Sequence, residues 1–113
     1  MTIAIYEPLI EELRKRSICC YFQNPAQLVV SREQGPAWPF GSNSFWVCHE
    51  AGVWYLSTWA PCVYRVLATA NLADLCTDFV NRGTVALAAV PVDLVTQYDL
   101  IELSPTEMDA FFS

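Results

Sequence analysis

The side chains able to do covalent or metal chemistry are few: one histidine and five cysteines. Cys48, His49 and Cys62 lie close together in the chain. A Cys–His pair can act as a nucleophile and its base. Cys48 and His49 are neighbours in an apolar run that reads as a strand, so their side chains point to opposite faces and cannot meet. His49 with Cys62 remains open, with Glu50 or Asp74 as the acid that would orient the ring. The competing reading is a partly exposed histidine at the end of a hairpin. Adding Cys19, Cys20 and Cys76 completes the possible metal ligands. Structural zinc sites draw on Cys-x2-4-Cys pairs, however, and that spacing does not occur here. The cysteines therefore read as buried thiols, and neither a metal nor a cofactor is expected.

Thr58-Trp59-Ala60-Pro61-Cys62, after an apolar strand, resembles the approach to the Cys-x-x-Cys of thioredoxin-like proteins. The resemblance covers five residues and would imply a redox role. It departs at position 59, where Trp stands in place of the partner thiol. Val63-Tyr64-Arg65-Val66, which follows, reads as a strand rather than the expected helix. The sequence contains no Gly-rich phosphate loop, nucleophile elbow or His-based metal motif.

A second kind of site is non-covalent. Trp38, Phe40, Phe45, Trp46, Trp54, Tyr55, Trp59 and Tyr64 form a dense aromatic set, and Trp and Tyr are enriched at binding hot spots. The candidate binding residues are Trp38, Phe40, His49, Tyr55, Trp59 and Cys62. They serve either a protein interface or a small-molecule pocket beneath the Trp38–Phe40 loop.

The element that must position them is the stretch from Ser44 to Leu67, which holds three of the four tryptophans. Phe45–Cys48 and Val53–Leu56 read as paired strands. A three-residue turn, Glu50 to Gly52, would set Trp46 opposite Leu56 and Cys48 opposite Trp54. Phe45, Val47, His49, Val53, Tyr55 and Trp59 would then share the other face. Neither face is polar, whereas an antiparallel sheet with one wet side alternates apolar with polar. Such a sheet must be covered twice: by helices on one face, and by the chain's own loops, a second copy or a partner on the other.

Around this hairpin, Pro8 and the acids Glu7, Glu11 and Glu12 mark the start of a helix that runs to about residue 17. Residues 18–22 read as a strand or as a continuation of that helix, and 27–31 as a strand. Residues 33–44 form the longest loop. Residues 62–67 read as a third strand. Asn71 is the expected N-cap of a helix whose apolar positions are Leu72, Leu75, Cys76, Phe79 and Val80. Residues 84–90 are ambiguous. Pro91 opens a short helix to Gln97, 98–103 form a strand, and Ser104-Pro105-Thr106-Glu107 is a capping signal for a last helix to Phe112. The fold class expected is α+β. It is a single domain over 1–113, an antiparallel sheet built on the central Trp-rich hairpin with helices packed on one face.

The chain of 113 residues carries a net charge of −6, with 54% apolar and 16% charged residues. Four of the six basic residues, Arg14, Lys15, Arg16 and Arg32, fall in the first third. From Gly83 onward there are only acids: Asp93, Asp99, Glu102, Glu107 and Asp109. This balance repels phosphate backbones and argues against nucleic acid as a partner. No apolar run is long enough to span a membrane, and the amino terminus lacks the features of a secretory signal. The reading is a cytoplasmic, non-enzymatic protein-interaction module, self-associating as a homodimer or binding a basic partner in an inhibitor or immunity-like role. The alternative is a small-molecule binder or enzyme with a pocket near His49, Trp59 and Cys62.

Overall fold

A computed structural model describes residues 3–31, 44–58, 61–67, 69–82 and 89–113. Six strands form one antiparallel sheet in sequence order: β1 (Cys19–Asn24), β2 (Gln27–Ser31), β3 (Ser44–Glu50), β4 (Val53–Ser57), β5 (Val63–Val66) and β6 (Leu100–Glu102). The helices are α1 (Glu7–Lys15), α2 (Leu72–Asn81), α3 (Val92–Gln97) and α4 (Pro105–Phe112). This is an α+β fold, with β3 and β4 as the two central strands. Trp38 and Phe40 of the expected loop, Trp59, and residues 84–88 of the ambiguous segment lie outside the described residues.

Local chemistry explains where the first elements start and stop. Glu7 and Pro8 occupy the first turn of α1, and Arg14 and Lys15 the last. The helix ends before residue 17 because Ser17 takes a positive φ of 61°. The Ile18 N–H then donates to the Leu13 carbonyl at 2.9 Å and the Ser17 N–H to that of Arg14 at 3.0 Å, the Schellman pattern. Ile18 turns back onto Leu13 in the core. The chain is thereby aimed into β1, which resolves residues 18–22 as strand rather than helix. At the next turn the Asn24 side chain accepts from the Ala26 N–H at 2.9 Å and closes the β1–β2 hairpin.

The central hairpin corrects the expected register. Its turn is the two residues Ala51 and Gly52, with φ of 51° and 80°. Two positive φ values match the twist of the flanking strands, as in a type I′ turn. His49 therefore pairs with Trp54, Cys48 with Tyr55, Val47 with Leu56 and Trp46 with Ser57. Trp46 does not face Leu56, nor Cys48 Trp54. Every side chain of β4 moves to the other face. Tyr55 joins Trp46 and Cys48, whereas Trp54 and Leu56 join Phe45 and Val47.

Both faces are apolar, and both are packed. Leu28, Val30, Phe45, Val47, Leu56 and Tyr64 form one cluster with residues of α1, α2 and α3, including Leu13, Phe79 and Leu94. Phe45 meets Phe79 at a ring separation of 4.9 Å. On the other face Val29, Trp46 and Cys48 are 0, 4 and 1% exposed, and Phe111 of α4 packs against them. The second face is thus partly covered by the chain's own last helix. There the expected capping box forms, with the Glu107 N–H donating to Ser104 Oγ at 3.2 Å and the Ser104 N–H to Glu107 Oε1 at 2.8 Å. Asn71 makes no such cap on α2, because a 3-10 turn over Thr69–Asn71 leads into that helix. Its first-turn acid, Asp74, accepts instead from Arg16 Nη1 at 2.7 Å, tying α2 to α1.

Candidate functional site

The sheet separates the side chains with reactive potential. His49 is half-buried on the helix-covered face. Its backbone N–H donates to the Tyr6 hydroxyl at 2.8 Å, and its ring lies edge-on to Trp54 at 5.0 Å. Burial pushes the Tyr6 hydroxyl up from the usual phenol range, while the bond from His49 acts in the opposite sense. Cys62, also half-buried, lies beside the same core but towards the other end of β4. Its N–H donates to Thr58 Oγ1 at 3.0 Å, and its carbonyl accepts from the Thr58 N–H at 3.1 Å. Thr58 is four residues along the chain from Trp54, the partner of His49. At the rise of an extended strand this is a separation of roughly 13 Å along the strand, before the step between strands is added. His49 and Cys62 are therefore not brought together, and Cys48 opens onto the opposite face. Tyr55 is half-buried under Phe111, at a ring separation of 4.8 Å.

Three of the thiols, Cys20, Cys48 and Cys76, sit in surroundings that suppress their reactivity. Burial, with a smaller contribution from Glu50, pushes Cys48 up to about 12. Burial also pushes Cys76 and Cys20 above the usual thiol range. A thiol held this way is mostly protonated near neutral pH and is a poor nucleophile. Among the described residues, no group of three or more His, Cys, Asp or Glu side chains could hold a metal ion.

Two surface grooves are defined by the described residues. One, of about 380 Å³, is bounded by Pro8, Leu9 and Glu12 of α1, by Leu72 and Ala73 of α2, and by the Trp54 ring. The other, of about 480 Å³, lies where α3 turns into β6 and is lined by Leu67, Val95, Thr96, Asp99, Leu100 and Ile101. This second groove was not foreseen from the sequence. Its walls follow from how α3 ends. Tyr98 turns into the core, where its hydroxyl donates to the Asp78 carboxylate of α2. Burial first, and Asp78 second, push that hydroxyl up to about 12. Asp99 then takes a positive φ of 53°, reversing the chain into β6. The expected strand over 98–103 is thereby shortened to Leu100–Glu102. Leu100 is buried, but Ile101 points away from the core and is 45% exposed, and Leu67 beyond the end of β5 is 54% exposed.

The second face thus has two parts. Around Trp46 and Tyr55 it is dry beneath α4, with Arg65 of β5 reaching Glu107 at 3.8 Å. Beyond Arg65 lie Ile101, Leu67 and Asp99, in apolar surface with an acidic neighbour. Two of the acids in this half of the chain already have arginine partners, Asp93 with Arg82 and Glu107 with Arg65. Asp99 and Glu102 have no ion pair among the described residues. No helix among the described residues is long and apolar enough to cross a membrane. No family model matches the chain, and neither a curated protein nor a solved structure matches it.

Proposed function

We propose that this chain is a non-enzymatic, cytoplasmic protein-interaction module whose contact surface is the Leu67–Ile101 groove. The observation that carries the reading is that two large apolar side chains, 54 and 45% exposed, line one concavity beside Asp99. A contiguous apolar patch rimmed by polar groups is the usual mark of a contact site, whereas a scattered apolar residue is not. The wide separation of His49 from Cys62 removes the support for a Cys–His catalyst. Five free cysteines fit a reducing compartment. The partner is a basic protein or a second copy of the chain, and the acidic balance favours the former.

A second reading, a binder of a small apolar molecule, is favoured by the groove between α1 and α2 with its Trp54 wall. Its residues differ from those of the first reading, so one set of variants separates the two. Tagged wild-type protein is recovered from its source cells beside Leu67→Ser/Ile101→Ser and a control, Val92→Ser. Val92 is 79% exposed but lies outside the groove. The proposal expects a co-purifying protein that the double variant loses and the control keeps. Equal recovery by all three would reject it.

A further inference from the structure

The backbone at the groove has an orientation that suggests what docks there. The Leu103 N–H donates to the Val63 carbonyl at 2.8 Å. Backbone groups in an antiparallel ladder alternate in direction, residue by residue. Ile101, two residues back and paired with Arg65, therefore also directs its N–H and carbonyl at β5. The N–H and carbonyl groups of Leu100 and Glu102 point the other way, out of the sheet. Among the described residues no strand lies beyond β6. An edge presenting unpaired backbone groups is a template for one more strand.

Charge decides what kind of strand. Asp99 lines the groove beside the exposed Ile101, Glu102 follows Ile101 on the opposite face of β6, and neither acid has an ion pair among the described residues. The chain from Gly83 to its end has no Lys or Arg, and Arg65, which pairs with Ile101 across the ladder, is engaged by Glu107 at 3.8 Å.

We infer that the outer edge of β6 accepts an extended segment of another protein as a seventh strand. Its alternate apolar side chains enter the Leu67–Ile101 groove beside Asp99, and its lysines or arginines, on the other face, lie against Glu102. The inference rests on the proposed contact surface and adds the conformation and charge of what occupies it. Backbone pairing supplies affinity in this mode, and the pockets beside the edge supply selectivity. With only three residues in β6, the contact is weak and strongly dependent on salt.

The test is a titration of the ¹⁵N-labelled full chain with two blocked hexapeptides, Lys-Val-Lys-Val-Lys-Val and Glu-Val-Glu-Val-Glu-Val, at low ionic strength. The lysine peptide is expected to shift the Leu100 and Glu102 amides and slow their exchange by about tenfold or more at saturation, leaving Ile101 little changed. The glutamate peptide is expected to do neither. Glu102→Gln should weaken the lysine peptide about threefold, and Glu102→Pro, which removes an outward N–H without breaking the ladder to β5, should abolish edge protection. Three results overturn the inference: equal binding of both peptides, binding without protection at Leu100 and Glu102, or no binding of either by wild-type protein. If any of these occurs while the Leu67→Ser/Ile101→Ser protein still loses its co-purifying partner, the contact surface stands and the strand-addition mode falls. Retention of that partner by the double variant removes the surface itself.

Discussion

Truncating Phe111 to alanine tests how α4 is held. Phe111 is half-buried, and its ring contacts Tyr55 at 4.8 Å and Trp46 at 6.3 Å. Phe112 contacts Trp46 at 6.4 Å but is 49% exposed, so it adds less. No residue of α4 is fully buried. A core Phe→Ala change costs about 3–5 kcal/mol, of which a half-buried ring carries roughly half, or ~2 kcal/mol. Of this, about 1 kcal/mol is the ring-on-ring contact beyond its buried area. A helix of this length is marginal alone in water, so α4 depends on these contacts and on its capping box. The loss should therefore appear as local opening rather than global unfolding. A change of ~2 kcal/mol corresponds to about 30-fold in an opening equilibrium. Native-state amide exchange followed by NMR is expected to show that acceleration across α4, with the Val47 and Leu56 amides of β3 and β4 nearly unchanged. Two results would refute the reasoning: unaltered α4 exchange, or equal acceleration of every slow amide in the sheet.

Further expectations concern the turn after α1, the thiols and the last helix. Ser17 holds a positive φ that glycine adopts without strain, so Ser17→Gly should raise stability by about 0.5–1 kcal/mol in urea unfolding; a loss would mean the Schellman geometry is wrong. Burial holds the Cys48 and Cys76 thiols protonated, so both should resist native-state labelling at pH 8 that reaches the half-buried Cys19 and Cys62, and rapid modification of Cys48 would contradict its burial. The Ser104 backbone N–H, then its hydroxyl, hold the Glu107 carboxyl below the usual range, with Arg65 adding to the effect. A lowered folded-state pKa stabilises above the unfolded value and is lost as pH falls through the folded one. Exchange in α4, corrected for intrinsic rates, should therefore accelerate below about pH 4, and Glu107→Gln should flatten that acid response.

Much of the fold was legible because several signals were local. The Ser104–Glu107 spacing marks a capping box, Pro8 among acids marks the start of α1, and the apolar spacing from Leu72 to Val80 marks α2. The hairpin was legible as a pair of strands but not in register. Gly52 suggested one positive-φ residue, whereas Ala51 adopts another, and no local feature of alanine announces that. The slip of one residue exchanged the faces of Trp54 and Tyr55 yet left both faces apolar. The need for a second cover survived it, and Phe111 of α4 provides part of that cover. The groove was illegible for a different reason. It depends on Asp99 reversing the chain just after Tyr98 anchors to Asp78, and only tertiary packing decides that. Adjacent Leu100 and Ile101 carried a usable signal, since one of two neighbouring apolar residues in a strand must face away from the core. The proposed Cys–His pair failed on distance along β4, which sequence spacing across a hairpin does not give.

The central claim is that the Leu67–Ile101 surface, rather than any other exposed apolar residue, meets a partner. Site-specific incorporation of a photo-crosslinking amino acid at position 101, compared with position 92 on α3, tests it directly in the source cells. The account predicts a discrete adduct from position 101 that is absent from position 92. No adduct at 101, or the same adduct from both positions, would contradict it.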